Sequence, residues 1–591
     1  MTFRFDARLV LLFLLVPACL ILSSVVQAKF GDIGPDGDDI MRLVQIQDLL
    51  NGQTWFDLQQ YRMGPEGGTA MHWSRLVDLP ILLLFHLFNI FLPSETALVW
   101  AYTVWPPLSV LLLLAGLYTG ARHLGGKGGA LACLLLSAFI FSTHYRFMPG
   151  AIDHHNLQLG LLALALGCAV DPSRRPARLA LAGLSVAASV AIGGEVYVFV
   201  GIICGFVALD WAISGEAARR GAMGFGAGLA AGLELAFFAT VAPSNYAVVA
   251  CDALSSVSLL AGLAGGLGLV LAALLASARG LGVRMAALLC IGAASAAVLL
   301  LVGPQCLSNP LSDLSPEVKT LWLDRIDEAR PLFAERPGRV AKIGFMLGIA
   351  LLALGLSLYG AYRGKRLRAN LLFAALLVSA LLMSVYQVRF AGFGHVFAII
   401  PLSLWVADTY RDGKARNPSS VAYIGALALS LPFLWAVPGL ILSPKSATAN
   451  DSNKSACLDD SLFERLNALE TGRILAPTDF APRILNRTDH SVLQGNYHRN
   501  HDGIALALDI LMSPPGETET LLSEGGIDYI VLCEADGENK LLAELAPDGL
   551  AARLTSEHMP DYLVPVDAKA SPRLYRVHAE PKSPSEDDEL S

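Results

Sequence analysis

The sequence predicts a mainly α-helical, polytopic membrane protein of about thirteen spanning helices, with an extramembrane α/β domain at its C-terminus. Three observations predict it. The 591 residues are 54% hydrophobic and only 16% charged, with a mean hydropathy of +0.52, as expected of a chain whose solvent is lipid. Its apolar runs are long enough to cross a hydrocarbon core as helices. Every second loop between those runs is basic, as loops on the cytoplasmic side should be. The net charge of −8 comes with no basic tract, which argues against a nucleic-acid partner. Nine cysteines are scattered without a C-x-x-C pair, so neither a zinc module nor a thioredoxin-like motif is supported, and most of them read as small apolar packing residues.

The elements follow in order. Met1 to Arg8 is short and basic, and the apolar run Leu9 to Val26 follows. A cleaved signal peptide has this pattern, but the run is long enough to cross the bilayer and many spans come after it, which favours a retained first helix. With Arg4 and Arg8 inside, the first external loop runs from Lys29 to Asp78. A second span near Ala97 to Leu117 leads to an inside loop with Arg122 and Lys127, and the third span ends outside at His144 to Asp153. The fourth ends inside at Asp171 to Arg178, and Leu179 to Ile213 must be a tight pair around Gly193-Gly194-Glu195. The next inside loops hold Arg219 and Arg220, Arg279 and Arg284, Arg363 to Arg368, and Arg411 to Arg416. Left outside are Pro243 to Ser255, a fifth loop from Gly303 to Arg339, a short turn near Arg389, and the tail after about Ser443.

Residues 1–442 are thus expected to form the membrane domain, with long external loops at 29–78 and 303–339. Residues 443–579 form the external α/β domain, and 580–591 a disordered polar tail. In that domain strand-like Arg473 to Ala476, Ser491 to Leu493 and Tyr529 to Leu532 alternate with helical Ile504 to Met512 and Leu541 to Leu545. Cys251 and Cys306 fall in neighbouring external loops and could pair in an oxidising compartment, or simply pack at span ends.

Chemistry is expected on the outer edge of the bundle. Asp36, Asp38 and Asp39 lie within four residues, and repel one another unless a hard cation or an arginine partners them; a solvated loop is the plain alternative. Asp153, His154 and His155 open the fourth span, where desolvating them is costly, so a functional site is the default reading over a helix cap by Asp153. Glu328 sits in the fifth loop, and Arg389 stands alone in an apolar stretch, where its planar donor fork would suit a phosphate or simply snorkel to the interface.

At these residues the chain resembles the GT-C superfamily, and most closely the catalytic subunits of the oligosaccharyltransferases. Asp36-x5-Arg42 resembles that family's first-loop D-P-Y-x-x-x-R motif, and Pro65-Glu66-Gly67 its later P-x-G. Asp153-His154-His155 resembles its second acidic motif in the D-H-H form, and Gly193-Gly194 with Val196-Tyr197 its G-G-Y-x-F region. Ile326-Asp327-Glu328-Ala329-Arg330-Pro331 resembles its fifth-loop S-V-S-E-x-x-P motif. The resemblance implies a metal-dependent glycosyltransferase of the bacterial inner membrane with its active site and C-terminal domain in the periplasm. It implies Mg²⁺ or Mn²⁺ held by Asp36, Asp153 and His155, an acceptor positioned by Glu328, and a lipid phosphate bound by Arg389. Asp36, Glu328 and Arg389 would be catalytic, since departure of a lipid (di)phosphate builds negative charge that a cation and an arginine stabilise.

The chain departs from the family where the acceptor would be read. In place of a W-W-D-Y-G motif stands Pro477-Thr478-Asp479-Phe480 through Ile484, without a tryptophan pair. The first loop instead carries Trp55 to Asp57 and Met71 to Asp78, and the tail Gly495 to His501, rich in aromatic, His and Arg residues. Arg42, His72, Arg75, His154, Asp479 and His498, with Arg389, are the expected substrate-binding residues, although a structural scaffold explains the first-loop block about as well. The expected reaction moves a sugar or oligosaccharide from a polyprenyl (di)phosphate to a glycan, lipid or protein acceptor. Protein N-glycosylation is the less favoured variant, and a lipid-linked-sugar flippase or other transporter is the alternative outside the class.

Overall fold

In the computed structural model the described residues are 7–142, 144–308, 311, 314–326, 328–334, 339–416, 420–442, 457–534, 536–555, 559–566 and 572–578. Arg4, Asp327 and the 580–591 tail lie outside them. The chain is mainly helical. Helix α1 (Ala7–Val26) enters the bundle, and α2 (Gly37–Leu50), the short strands β1 (Gln59–Gln60) and β2 (Thr69–Ala70), and α3 (Asp78–Phe88) build the first long loop. The bundle continues with α4 (Ser94–Phe141), α5 (His155–Ala169), α6 (Pro176–Ile192), α7 (Tyr197–Ser214), α8 (Arg219–Thr240), α9 (Ser256–Ala276) and α10 (Leu281–Val302). The short α11 (Pro316–Leu321) lies in the fifth loop, and α12 (Arg339–Tyr362), α13 (Leu367–Tyr386), α14 (Ala391–Arg416), α15 (Ser420–Leu429) and α16 (Pro432–Leu442) complete it.

Among the described residues, seven helical stretches are long and apolar enough to cross a membrane, or eight if the bent pair α15–α16 is one span. The figure of thirteen is therefore not what helix length and apolarity count. Two of the seven are 48 and 47 residues long, more than twice the ~20 that one crossing needs, and α4 breaks at Gly126, whose φ of +66° suits glycine. Val10–Val26, α3, α5 and α6 are apolar but shorter. Small residues set the packing: a Cβ on Gly167 would lie 1.9 Å from the Gly116 carbonyl, so α5 and α4 meet backbone to backbone. Toward the site, Phe199 of α7 packs on Phe393 and Phe397 of α14, with ring centroids 4.9 and 5.1 Å apart.

The expected tight turn at Gly193-Gly194-Glu195 is present, as a single 3₁₀ turn (Gly194–Val196) between α6 and α7. Beyond the bundle, β3 (Arg473–Leu475), β4 (Ser491–Val492), β5 (Tyr529–Leu532), β6 (Leu563–Pro565) and β7 (Arg573–Val577) form one sheet in the order β4-β3-β5-β7-β6. Its first three strands are parallel and β7 runs antiparallel to both neighbours. The three strands read from the sequence are β3, β4 and β5; their valine- and isoleucine-rich runs carry the buried-strand signal that β6 and β7 lack.

The first long loop is fastened to this sheet. Met41, Val44, Met63, Met71 and Trp73 share one buried apolar cluster with Ile474, Ile484 and Val492. The Gly64 N–H donates to the Val492 carbonyl at 2.9 Å, and the Arg62 guanidinium donates to the carbonyls of Leu485 and Thr488. Cys251 and Cys306 form a disulfide at the base of the fifth loop, and Cys457 and Cys533 form a second inside the α/β region.

Candidate functional site

The acidic trio sits at the N-terminus of α2, where unpaired backbone N–H groups favour negative charge. Asp36 caps the helix, accepting from the Asp38 N–H at 3.2 Å. Asp39 is spent on structure: its Oδ1 accepts from the Asp153 N–H at 2.8 Å, and a Cβ on Gly34 would meet its Oδ2. Gly150, at φ +85°, lets the opposing turn close to within one hydrogen bond of Gly34. Asp36 and Asp38 remain turned toward the site, and burial, then repulsion from Asp153, raises both carboxyls above the usual range.

That turn delivers Asp153, His154 and His155 to the mouth of α5. The Asp153 carboxylate bonds both imidazoles, His154 Nδ1 at 2.6 Å through one oxygen and His155 Nδ1 through the other. The two rings stack with centroids 4.2 Å apart. Their far nitrogens face Glu195, whose Oε1 lies 3.3 Å from His154 Nε2 and 3.5 Å from His155 Nε2. Glu195 was not among the residues expected from sequence. The signal was there, since it is the only charged residue between Arg178 and Asp210.

The fifth loop closes over the same place. Arg389 donates its backbone N–H to the Glu328 carbonyl at 3.3 Å, and its guanidinium stands 4.0 Å from the Glu328 carboxylate. Arg389 is therefore paired, not alone as its apolar flanks implied. Buried Arg146 joins them unannounced by sequence and lines a small recess with Asp36, Asp153 and His155.

A second cluster links three segments. Asp252, beside the Cys251 disulfide, accepts from His498 Nε2 at 2.7 Å and from both Nε and NH2 of Arg499 at 2.8 Å. These donors hold its carboxyl below the usual range despite burial. His72 lies against His498, ring centroids 4.5 Å apart, and burial pushes its imidazole well below the ordinary value. Asp479 is exposed and bonds Asn496, which also accepts from Trp322 Nε1 of the fifth loop at 2.8 Å. Arg42 and Arg75 are placed differently from the sequence expectation. Both are fully buried and share Asp78 at 2.7 and 3.1 Å, with Arg42 stacked 4.6 Å over Trp73, so their charge is met within the first loop.

One cavity of about 1520 Å³ unites the clusters. Asp38, His154, His155, Glu195, Glu328 and Arg389 line its polar head, and His72, Asp252 and His498 one wall. It then runs as an apolar groove among α7, α8, α9 and α10, past Gly201, Gly205 and Gly292, where a Cβ would meet nothing within 4 Å. Such an arrangement can hold an anionic head beside carboxylates and imidazoles while an apolar chain lies in the groove.

No protein-family model matches the chain, and no curated protein matches it in sequence. The fold has solved counterparts: it is similar to that of archaeal oligosaccharyltransferase structures. The archaeal oligosaccharyltransferase AglB from Archaeoglobus fulgidus, in complex with an inhibitory peptide and a dolichol-phosphate, matches over 91% of this chain and 72% of its own, at 16% identity and a TM-score of 0.63. The Archaeoglobus fulgidus enzyme in complex with Zn and sulfate matches over 93% and 71% at 15% identity and a TM-score of 0.60. With a tethered acceptor peptide containing the NVT sequon it matches over 94% and 72% at 14% identity and a TM-score of 0.62.

Proposed function

We propose that the chain is a membrane glycosyltransferase that moves a sugar or oligosaccharide from a polyprenyl (di)phosphate donor to a glycan, lipid or protein acceptor on the non-cytoplasmic face. The observation that carries this reading is the single cavity joining a charged head chamber to a long apolar groove, the shape of a lipid-linked donor. Counting α4 and the 47-residue stretch as two crossings each, and each shorter apolar helix of the bundle as one, gives about thirteen, which supports a membrane part over residues 1–442 and an extramembrane part over 443–579. Sidedness is supported by charge and by sulfur. The site face carries the disulfides, as an oxidising compartment allows, while Arg174 and Arg368 on Asp210, and Arg366 and Arg411 on Asp408, mark the opposite, basic face.

The residues present fit a divalent cation. Buried His155 Nε2 and Glu195 Oε1 have no hydrogen-bond partner, and the crowded carboxylates of Asp36 and Asp38 gain from positive charge. Mg²⁺ or Mn²⁺ held by Asp36, Asp153, His155 and their neighbours would supply charge to the departing (di)phosphate. The chain's own part is to bind, orient and protect. Arg389 offers its fork to the phosphate, Glu328 positions the acceptor hydroxyl or amide, and the wall of His72 and His498, with Asp479 bonded to the neighbouring wall residue Asn496, reads acceptor or sugar. Protein N-glycosylation is the less favoured variant, because the segment 477–484 has no tryptophan pair.

The test is metal-dependent consumption of a lipid-linked donor by detergent-solubilised chain, followed by mass spectrometry, with Asp153→Ala as control. Loss of consumption in Asp153→Ala with an unchanged melting profile is expected. Full turnover in that variant, or donor left intact by the wild type under every metal, would overturn the reading and favour transport.

A further inference from the structure

On the cavity wall away from the crowded carboxylates, the two nitrogens of His498 are in different situations. Nε2 donates to Asp252 Oδ2 at 2.7 Å, which fixes the proton there and leaves the lone pair on Nδ1. Asp252 needs no second positive charge, because Arg499 already meets it with Nε and NH2, each at 2.8 Å, so the donated N–H serves as well from an uncharged ring. His72, packed against His498 with centroids 4.5 Å apart, is kept neutral by burial and adds no charge of its own. Nδ1 of His498 makes no hydrogen bond among the described residues, and the side chain is 23% exposed where it lines the cavity. Its neighbour Tyr497 stands on the acidic helix α2, donating to the Gly37 carbonyl at 3.4 Å, so His498 borders the head where the donor phosphate is proposed to sit.

We propose that His498 is the general base of the transfer, with Asp252 as the residue that positions it, and that the acceptor reacts through a hydroxyl. As the acceptor oxygen bonds to the anomeric carbon, the bond from that carbon to the (di)phosphate oxygen breaks and its electron pair leaves with the phosphate. The acceptor proton passes to His498 Nδ1. Asp252, held ionised by Arg499, then stabilises the imidazolium that results. An amide acceptor gains nothing from such a base, since its nitrogen lone pair is delocalised into the carbonyl and its proton is far too weakly acidic for imidazole. The inference rests on the glycosyltransferase reading and narrows its acceptor to a sugar hydroxyl, which suits a wall of imidazole, Asn496 and Trp322.

The experiment uses the full chain in detergent, as wild type, His498→Ala, Asp252→Asn and Arg499→Met. Without any donor, labelling by diethyl pyrocarbonate, read by peptide mass spectrometry, follows the uncharged and accessible His498 ring across pH. The charged and titratable groups facing that ring are Asp252, Arg499 and His72, with Asp38 beyond Tyr497. Removing the Arg499 charge should move the labelling midpoint to higher pH, and removing the Asp252 charge to lower pH, each by about one pH unit. With donor and an alkyl glycoside as acceptor, the acid limb of turnover should move in parallel. His498→Ala should lose about 10²–10⁴-fold in kcat at unchanged donor Kd, with free imidazole restoring part of it. A labelling midpoint that moves while the acid limb stays would overturn the proposal, as would glycosylation of a sequon peptide in place of the glycoside. The Asp252 and Arg499 variants decide even if His498→Ala fails to fold. A chain that labels as stated but consumes no donor defeats the transferase reading, and this role with it; donor consumed with an unmoved acid limb defeats this role alone.

Discussion

Gly201 and Gly205 lie one turn apart on α7 and line the apolar groove, with nothing within 4 Å of where a Cβ would stand. Replacing either with leucine puts an isobutyl group into space that the proposed donor's isoprenoid tail would occupy. The apo protein should tolerate it, since the Cβ meets nothing within 4 Å, the side chain points into the groove, and a helix gains up to about 1 kcal/mol when glycine is replaced. The cost falls on the complex. A water-to-hydrocarbon figure of ~0.8 kcal/mol per methylene does not apply, because the tail arrives from lipid and not from water. What counts is overpacking, about 1–3 kcal/mol, which corresponds to about 5- to 140-fold weaker donor binding. The assay is donor Kd in nanodiscs for a long-chain donor and a one-isoprene analogue that stops short of the groove. Only the long-chain donor should weaken, with the melting temperature unchanged or raised. If Gly205→Leu binds the long-chain donor as tightly as wild type, or if both donors weaken equally, the groove is not the tail site.

Arg389 and Glu328 should separate by role: Arg389→Leu is expected to weaken donor binding, with Lys a partial rescue, while Glu328→Gln lowers turnover at nearly unchanged donor affinity. The crossed result, donor binding lost in Glu328→Gln and kept in Arg389→Leu, would reverse the assignment. Asp78→Asn leaves two fully buried guanidinium groups without their shared counter-charge and should cost about 3–5 kcal/mol, read as a lowered melting temperature; a shift within error would mean the pair is reached by water. Burial pushes the Glu538 carboxyl up to about 7 despite hydrogen bonds from Thr478 and Gln494. The native state then holds the proton more tightly than the unfolded chain, so stability present below about pH 4.5 is lost as pH rises toward 7, on the order of 3 kcal/mol in all. Glu538→Gln should flatten the melting temperature over that range, and a profile parallel to wild type would refute the assignment.

Most of the architecture was legible because lipid imposes a simple rule: apolar runs and alternating basic loops locate the helices, the tight turn at Gly193-Gly194-Glu195 and the long loops. The crossing number was less so, since α4 runs through a glycine turn as one stretch and α5 and α6 are short. At the site, Asp36, Asp153 and His155 stood out as charges at span edges. Arg42 and Arg75 were read as ligand groups because composition cannot reveal that Asp78, thirty-six residues beyond Arg42, neutralises both from within the loop. Asp252 and Arg146 passed as ordinary loop charges, because their significance is in partners brought together only by the fold. Glu195 is the instructive miss, as its isolation in an apolar run was visible but was absorbed into a glycine motif.

The apolar cluster that joins Met41, Met63 and Trp73 to Ile474 and Val492 couples two parts of the chain that are far apart in sequence. The helix that carries Asp38 and Asp39 rests on a surface of the C-terminal sheet, so a change that loosens that sheet is felt at the carboxylates without touching them.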